Sequence, residues 1–220
     1  PRRNNPAVTF SSRDIIRYLS KKNNHTIVVH RINECDERKN SKFMNIRLRL
    51  INSISDHTVF IGSWLKNLNL WNPLINNSSV ILNGANKKIF NMNSKESWTK
   101  NEKLRLVTHH WAGNIMKGFD VYSMIDEMLA SDKWNKKISF TYIGNLPKGF
   151  KFKNSSYSPP MQGKQLANEL KRHHVYITGS INEPAGMHHI EGAMCGLPIL
   201  YRNSGALPEY CNSFGIEYTL

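Results

Sequence analysis

At 220 residues, 40% hydrophobic and 21% charged, the chain is long enough to bury a real core and too apolar for a disordered segment. No apolar run is long enough to cross a bilayer as a helix, no secretory leader is visible, and the three widely spaced cysteines, Cys35, Cys195 and Cys211, read as reduced thiols in a cytoplasmic protein rather than a disulfide frame. The net charge of +14 is uneven, with +10 on residues 1–92 and +4 on residues 93–220, a field that favours polyanions or an acidic membrane surface.

In chain order the pattern alternates strands with helices. The chain opens on Pro1-Arg2-Arg3 without Met and stops at Tyr218-Thr219-Leu220 as a strand begins, so both ends read as cut from a longer protein. A first helix carries Arg13, Arg17, Lys21 and Lys22, and Thr26–His30 is a short β-branched run expected as a buried strand. Residues 41–54 place Phe43, Ile46, Leu50, Ile51 and Ile54 at helical spacing. Thr58–Ile61 is a second strand, followed by a helix with Ser63 as its cap. Ser79–Leu82 is a third strand, closed by the turn pair Asn83-Gly84. The polar stretch 91–103 reads as a linker between a first domain, residues 1–92, and a second, residues 93–220.

The second series begins with a strand over Leu104–Thr108 and a helix over 118–130, with Phe119, Tyr122, Ile125 and Met128 on one side. Ile138–Ile143 is a strand ending at Gly144, 163–173 a helix, His174–Thr178 a strand, and Leu197–Leu200 another. Strands separated by helices imply parallel sheets covered on both faces. Ligands of such sheets bind at the carboxyl ends of the strands, which directs attention to the loops after His30, Ile61, Leu82, Thr108, Ile143 and Thr178. No repeat is present.

One stretch carries the most chemistry: Asn182-Glu183-Pro184-Ala185-Gly186-Met187-His188-His189-Ile190-Glu191-Gly192. Glu183 falls in the loop after the His174–Thr178 strand, and Glu191 falls on the second turn of the short helix that Pro184-Ala185-Gly186 opens. Both carboxylates can face one site with the helix's free N–H groups between them, and such an N-terminus attracts anions. A ligand bearing phosphates and many hydroxyls, such as a nucleotide sugar, suits that arrangement. The histidine doublets 109–110, 173–174 and 188–189 do not form a zinc set, because adjacent residues point different ways and no Cys/His spacing fits four ligands.

The order of motifs completes the reading. Asn83-Gly84 with Phe90, Met116-Lys117-Gly118-Phe119-Asp120, Tyr142-Ile143-Gly144-Asn145, the Glu183/Glu191 stretch, Gly196-Leu197-Pro198 and Ser204-Gly205-Ala206-Leu207-Pro208-Glu209-Tyr210 together resemble the retaining glycosyltransferases of family 4, over roughly residues 26–218. The resemblance implies a GT-B fold, two Rossmann-like parallel-sheet domains facing a cleft, with the acceptor-side first domain shortened at its start because its usual glycine-rich loop is missing. It implies that Lys117 contacts the donor's diphosphate, that Glu183 lies by the donor sugar and that Glu191 holds the nucleotide ribose. The backbone of Ala185, Gly186, Met187 and His188 is implied to meet sugar and phosphates, Gly144 and Asn145 to pass near the base, and His30 to stand near the reacting sugar carbon. The arginine that often precedes the Lys-Gly pair is absent, leaving His110 as the nearest substitute for a second diphosphate ligand.

The implied activity is hexosyl transfer from a nucleoside-diphosphate sugar to a hydroxyl of a glycan or lipid-linked glycan, with retention, in polysaccharide biosynthesis at the inner membrane face. No Asp-x-Asp motif is present, so no metal and no cofactor beyond the donor is expected. Two other readings compete. A nucleotide-sugar epimerase could use the same architecture, but the Gly-Leu-Pro and Leu-Pro-Glu segments argue against it. A nucleic-acid binder would need basic residues interleaved with exposed aromatics on one face, and no such module is visible.

Overall fold

The computed structural model describes residues 11–23, 25–74 and 77–220. The opening Pro1-Arg2-Arg3 lies outside them. The chain divides into two compact units, Pro1–Ile81 and Leu82–Leu220.

The first unit holds α1 (Ser12–Lys21), β1 (Val29–Ile32), α2 (Asp36–Lys39), α3 (Met44–Asn52), β2 (His57–Phe60), α4 (Ser63–Lys66) and β3 (Asn77–Val80). Its sheet is parallel in the order β1-β2-β3. Arg13, Arg17 and Lys21 stand exposed on α1, with Lys22 at its end. β1 begins later than expected and runs on through Ile32. The Asp56 carboxylate takes the Val28 N–H at 2.7 Å and the Asp56 N–H donates to the Val28 carbonyl at 2.9 Å, so the ladder to β2 opens only at Val29. The apolar stripe Phe43, Ile46 and Leu50 on and beside α3 is exposed. What α3 buries is Asn52, whose amide donates to Thr58 Oγ1 at 2.5 Å. Ser63 is the first residue of α4, and Gly62 is its cap.

The second unit holds β4 (Leu104–His110), a single 3-10 turn (Ile115–Lys117), α5 (Phe119–Met128), α6 (Asp132–Asn135), β5 (Ile138–Gly144), β6 (Ser156–Ser158), α7 (Gly163–Lys171), β7 (Val175–Thr178), α8 (Met187–Met194), β8 (Ile199–Arg202), α9 (Leu207–Cys211) and β9 (Gly215–Tyr218). All six strands are parallel in the order β6-β5-β4-β7-β8-β9. The chain builds outward from β4 through β5 to β6, then returns to the other side of β4 to lay down β7. The order therefore reverses between β4 and β7, which is where sheets of this class bind ligands.

Helices cover both faces of this sheet. On one, Phe119, Val121, Tyr122 and Ile125 of α5 pack with Leu129 against Leu106, Phe140, Tyr142 and Ile177. Each such side chain, fully buried, contributes about 1.5–3 kcal/mol of transfer free energy. On the other face α8 lies close on β7, because a Cβ at Gly192 would stand 2.5 Å from the Tyr176 ring. Gly196, at φ +80°, ends α8 in a left-handed turn, with Leu197 N–H returning to the Gly192 carbonyl at 3.2 Å. This is the physical role of Gly196-Leu197-Pro198.

The stretch expected as a linker is strapped to the second unit. Glu96 N–H donates to the Lys171 carbonyl at 3.0 Å, Lys171 Nζ to Asn91 Oδ1 at 3.1 Å, and Arg105 pairs with both Glu96 and Glu102 at 2.7 Å. The preceding segment joins the same unit through Asn83, whose N–H donates to the Tyr210 hydroxyl at 2.7 Å. The division between the units accordingly falls after Ile81.

Candidate functional site

At the carboxyl ends of β4 and β5 and the start of α8, a cavity of about 410 Å³ opens beside the switch point. Its walls include His109, His110, Lys117, Gly144, Gly186, Met187, His188 and Glu191, with Phe90, Trp111 and the segment Pro160–Gly163. Seven sequence-expected residues are among them. Glu183, Ala185 and Asn145 stand just behind this lining.

Three motifs far apart in sequence converge on the loop that carries Glu183. From one side comes the Lys117-Gly118 turn. Gly118 takes φ +98° and a Cβ there would lie 2.3 Å from the Gly179 carbonyl carbon, so only glycine lets the turn approach the end of β7. The Met116 carbonyl accepts the Ile181 N–H at 2.9 Å. Lys117 Nζ is thereby set 3.2 Å from Glu183 Oε2, with the Glu183 side chain 5% exposed and Lys117 16%. From a second side comes Ser204-Gly205-Ala206. Ser204 Oγ accepts the Asn182 N–H at 2.8 Å, and the Ala206 N–H donates to the Glu183 carbonyl at 2.8 Å. Gly205, at φ +65°, would place a Cβ 2.4 Å from that carbonyl oxygen. From a third side Asn83 Nδ2 donates to the Ala185 carbonyl at 3.0 Å. Asn182 itself sits at φ +48°, a left-handed conformation Asn tolerates.

Gly186 then caps α8, and the first four N–H groups of that helix have no partner within it. A Cβ on Gly186 would meet His188 Nδ1 at 2.4 Å and Glu183 Cδ at 3.0 Å, so glycine keeps the helix end open beside the carboxylate. The His188 ring is buried and shares a 2.9 Å hydrogen bond with Thr178 Oγ1. Burial, then the nearby His110, His189 and Lys117, holds its pKa well below the usual value. His188 is thus neutral and offers no cationic charge to an anion. Among the described residues of the lining, Lys117 is the single lysine or arginine.

His110 is anchored by Nε2 at 2.7 Å from the Tyr122 hydroxyl, and its ring lies 4.5 Å from that of His188. Gly144 holds φ +141°, and a Cβ there would fall 1.9 Å from the His110 carbonyl oxygen. Asn145 ties β5 to β4, donating its N–H to that carbonyl at 3.3 Å and Nδ2 to the Trp111 carbonyl at 2.5 Å. Glu191, from the second turn of α8, places Oε2 2.8 Å from His109 Nε2. His30 belongs to the first unit and lies inside β1, two residues before its end, where Asn52 Nδ2 stands 3.5 Å from Nδ1. It is not the strand-end residue expected. Burial lowers its pKa.

Sequence reasoning missed His109, Tyr176 and the Pro160–Gly163 wall. The first was in reach: a His-His pair at the carboxyl end of a strand flags both rings, and here His109 bonds Glu191 of α8 while His110 bonds Tyr122 of α5 and packs on His188. Among the described residues no three His, Cys, Asp or Glu side chains are grouped to hold a metal ion, and no helix is long and apolar enough to cross a membrane.

No protein-family profile matches the sequence, and no curated protein matches it. Solved structures do match the fold. Anabaena HepE in complex with UDP-glucose aligns with TM-score 0.65 at 11% identity, over 95% of this chain and 63% of that one. Sucrose-phosphate synthase from Thermosynechococcus elongatus aligns with TM-score 0.64 at 15% identity, over 89% and 54%. The pneumococcal O-GlcNAc transferase GtfA, in complex with UDP and GlcNAc, aligns with TM-score 0.66 at 10% identity, over 92% and 44%. The chain thus spans roughly half the length of these structures. At such identities the likeness is one of fold: the α/β architecture of parallel Rossmann-like sheets seen in GT-B glycosyltransferases.

Proposed function

We propose that this chain binds a nucleoside-diphosphate sugar in the second unit and transfers its hexosyl group to an acceptor hydroxyl, in the manner of the retaining family 4 glycosyltransferases. The observation that carries the reading is the meeting of Lys117, the open N-terminus of α8 and the Glu191 carboxylate around one cavity at the strand-order reversal, with Glu183 paired to Lys117 behind its lining. Breaking the bond to a diphosphate requires that negative charge be held as it develops on the departing oxygens. Lys117 and the N–H groups after Gly186 hold it, and a preorganised donor of this kind is worth about 3–4 kcal/mol of transition-state stabilisation. Glu183 accepts hydroxyls of the sugar, and Glu191 the ribose. Gly144 and the wall opposite it face the base. With the leaving group held in place, the acceptor hydroxyl attacks from the same face, its proton passing to the departing phosphate, and configuration is retained without a metal. The first unit would take a glycan or lipid-linked glycan, its basic charge favouring an acidic membrane surface. That HepE was solved with UDP-glucose and GtfA with UDP supports the choice of donor class.

The test is donor turnover. Lys117→Ala alone strands a buried carboxylate, a change that costs about 3–5 kcal/mol where a pair is fully buried, so it is paired with the variant Lys117→Met/Glu183→Gln, which removes both charges together. Both are expected to lose transfer at least a hundredfold, the double variant while keeping its circular dichroism spectrum. Full activity in the folded double variant refutes the proposal.

A further inference from the structure

We propose that His109 and Tyr176 form a fixed proton-donating clamp that orients Glu191 toward the ribose of the donor, making them positioning residues for nucleotide recognition. This rests on the reading of Glu191 given above.

The Tyr176 hydroxyl accepts the backbone N–H of His109 at 3.0 Å. It stands 3.1 Å from Nδ1 of the same residue and 3.3 Å from its carbonyl oxygen. The phenol is fully buried, and burial raises its pKa well above the usual value, so it keeps its proton. The two rings meet edge to face, at 5.6 Å and 82°. His109 Nε2 then points at Glu191 Oε2, 2.8 Å away.

The direction of that hydrogen bond follows from counting protons. In the neutral imidazole, Nε2 faces a carboxylate, which can only accept, so the ring's one proton sits on Nε2 and the phenol donates to Nδ1. In the charged imidazolium, Nδ1–H donates to the phenol's remaining lone pair, and the phenol proton turns to the His109 carbonyl. Nε2 carries a proton toward Glu191 in both forms. The carboxylate is therefore pinned by Oε2, and its other oxygen makes no hydrogen bond to the described residues. A carboxylate held this way, on the wall of the cavity and 19% exposed, is an acceptor for a vicinal diol such as the 2′- and 3′-hydroxyls of a ribose. A ring fixed by the strand, a phenol fixed by its neighbour and a carboxylate on the first turns of a helix form a preorganised recognition unit.

The experiment is calorimetric titration of the intact chain with UDP and with 2′-deoxy-UDP. The wild type is expected to prefer the ribonucleotide. His109→Ala and Tyr176→Phe are each expected to weaken UDP roughly tenfold, the scale of one hydrogen bond to a charged group, while leaving 2′-deoxy-UDP nearly unchanged. His109→Gln, whose amide can still donate to Glu191, recovers most of the preference. In the background Glu191→Gln, the further change His109→Ala has little effect. A purely structural role would weaken both nucleotides equally. If UDP binds the wild type and the His109→Ala variant retains the full ribose preference, the clamp is wrong and the donor site stands. If neither nucleotide binds the wild type, the donor site itself fails.

Discussion

At the scale of single residues, the site is organised by glycines whose reasons are tertiary. Gly186 and Gly205 flank the same carboxylate yet differ in kind. Gly205 takes φ +65° against the Glu183 backbone, so Gly205→Ala combines left-handed strain with a backbone clash. We expect a loss of about 2–4 kcal/mol in chemical denaturation. Gly186 has an ordinary φ of −65°, and its added Cβ would meet the His188 ring and Glu183 Cδ. Gly186→Ala carries no backbone strain but displaces the buried His188 ring, so it is expected to lose less stability than Gly205→Ala while weakening UDP at least tenfold in the same titration. Equal stability losses in the two variants would contradict this division. Glu183, Glu191, Lys117 and the glycines were all legible in the sequence as motif positions. For Gly118 and Gly205 the physical reasons were not, because the atoms they must avoid belong to distant segments: Gly118 meets Gly179, and Gly205 meets Glu183.

At the scale of elements, α8 carries an unusual burden. Its second and third residues, His188 and His189, are buried, and neither ring nitrogen of His189 has a hydrogen-bond partner. Burial is the main cause that lowers the His189 pKa to about 4, partly opposed by Glu183. In the unfolded chain the same ring titrates near 6.5. Between those values the unfolded state binds the extra proton, so stability is whole above about pH 6.5 and falls as pH drops toward about 4, by up to about 3 kcal/mol. Denaturation of wild type and His189→Leu across this range checks the sign: the variant should lose less stability on acidification and match or exceed the wild type at pH 7. Parallel losses in both proteins would rule the ring out as the cause. The long strands β4 and β5 and the amphipathic α5 and α7 were readable from periodicity. β6 was not: Ser156–Ser158 is three residues without an apolar pattern. Its place is fixed from outside, by the Asp126 carboxylate accepting the N–H groups of Lys153, Asn154 and Ser155 at 2.7–2.9 Å. β9 was misplaced rather than unseen: a strand was expected to begin at Tyr218, but it runs Gly215–Tyr218 and ends there, with Ile216 and Glu217 exposed and pairing with β8 defining it.

At the scale of the whole molecule, the alternation of strand and helix was enough to expect parallel sheets, and the strand order explains the place of the site. The reversal beside β4 opens the loops there, and it brings together segments that no local pattern connects: the end of β4, the Lys117 turn and the start of α8. What local reading missed at this scale was the strap over residues 91–103, which is polar enough to pass for a linker because its contacts are hydrogen bonds and ion pairs. The central claim is that this reversal point binds a nucleoside diphosphate through Lys117 and the α8 N-terminus. Its most direct measurement is calorimetric titration of the intact chain with UDP, GDP and ADP, each repeated with the Lys117→Met/Glu183→Gln variant. The account predicts saturable one-to-one binding of at least one of them, weakened at least tenfold in the variant. Binding of none, or binding that the variant leaves unchanged, would contradict it.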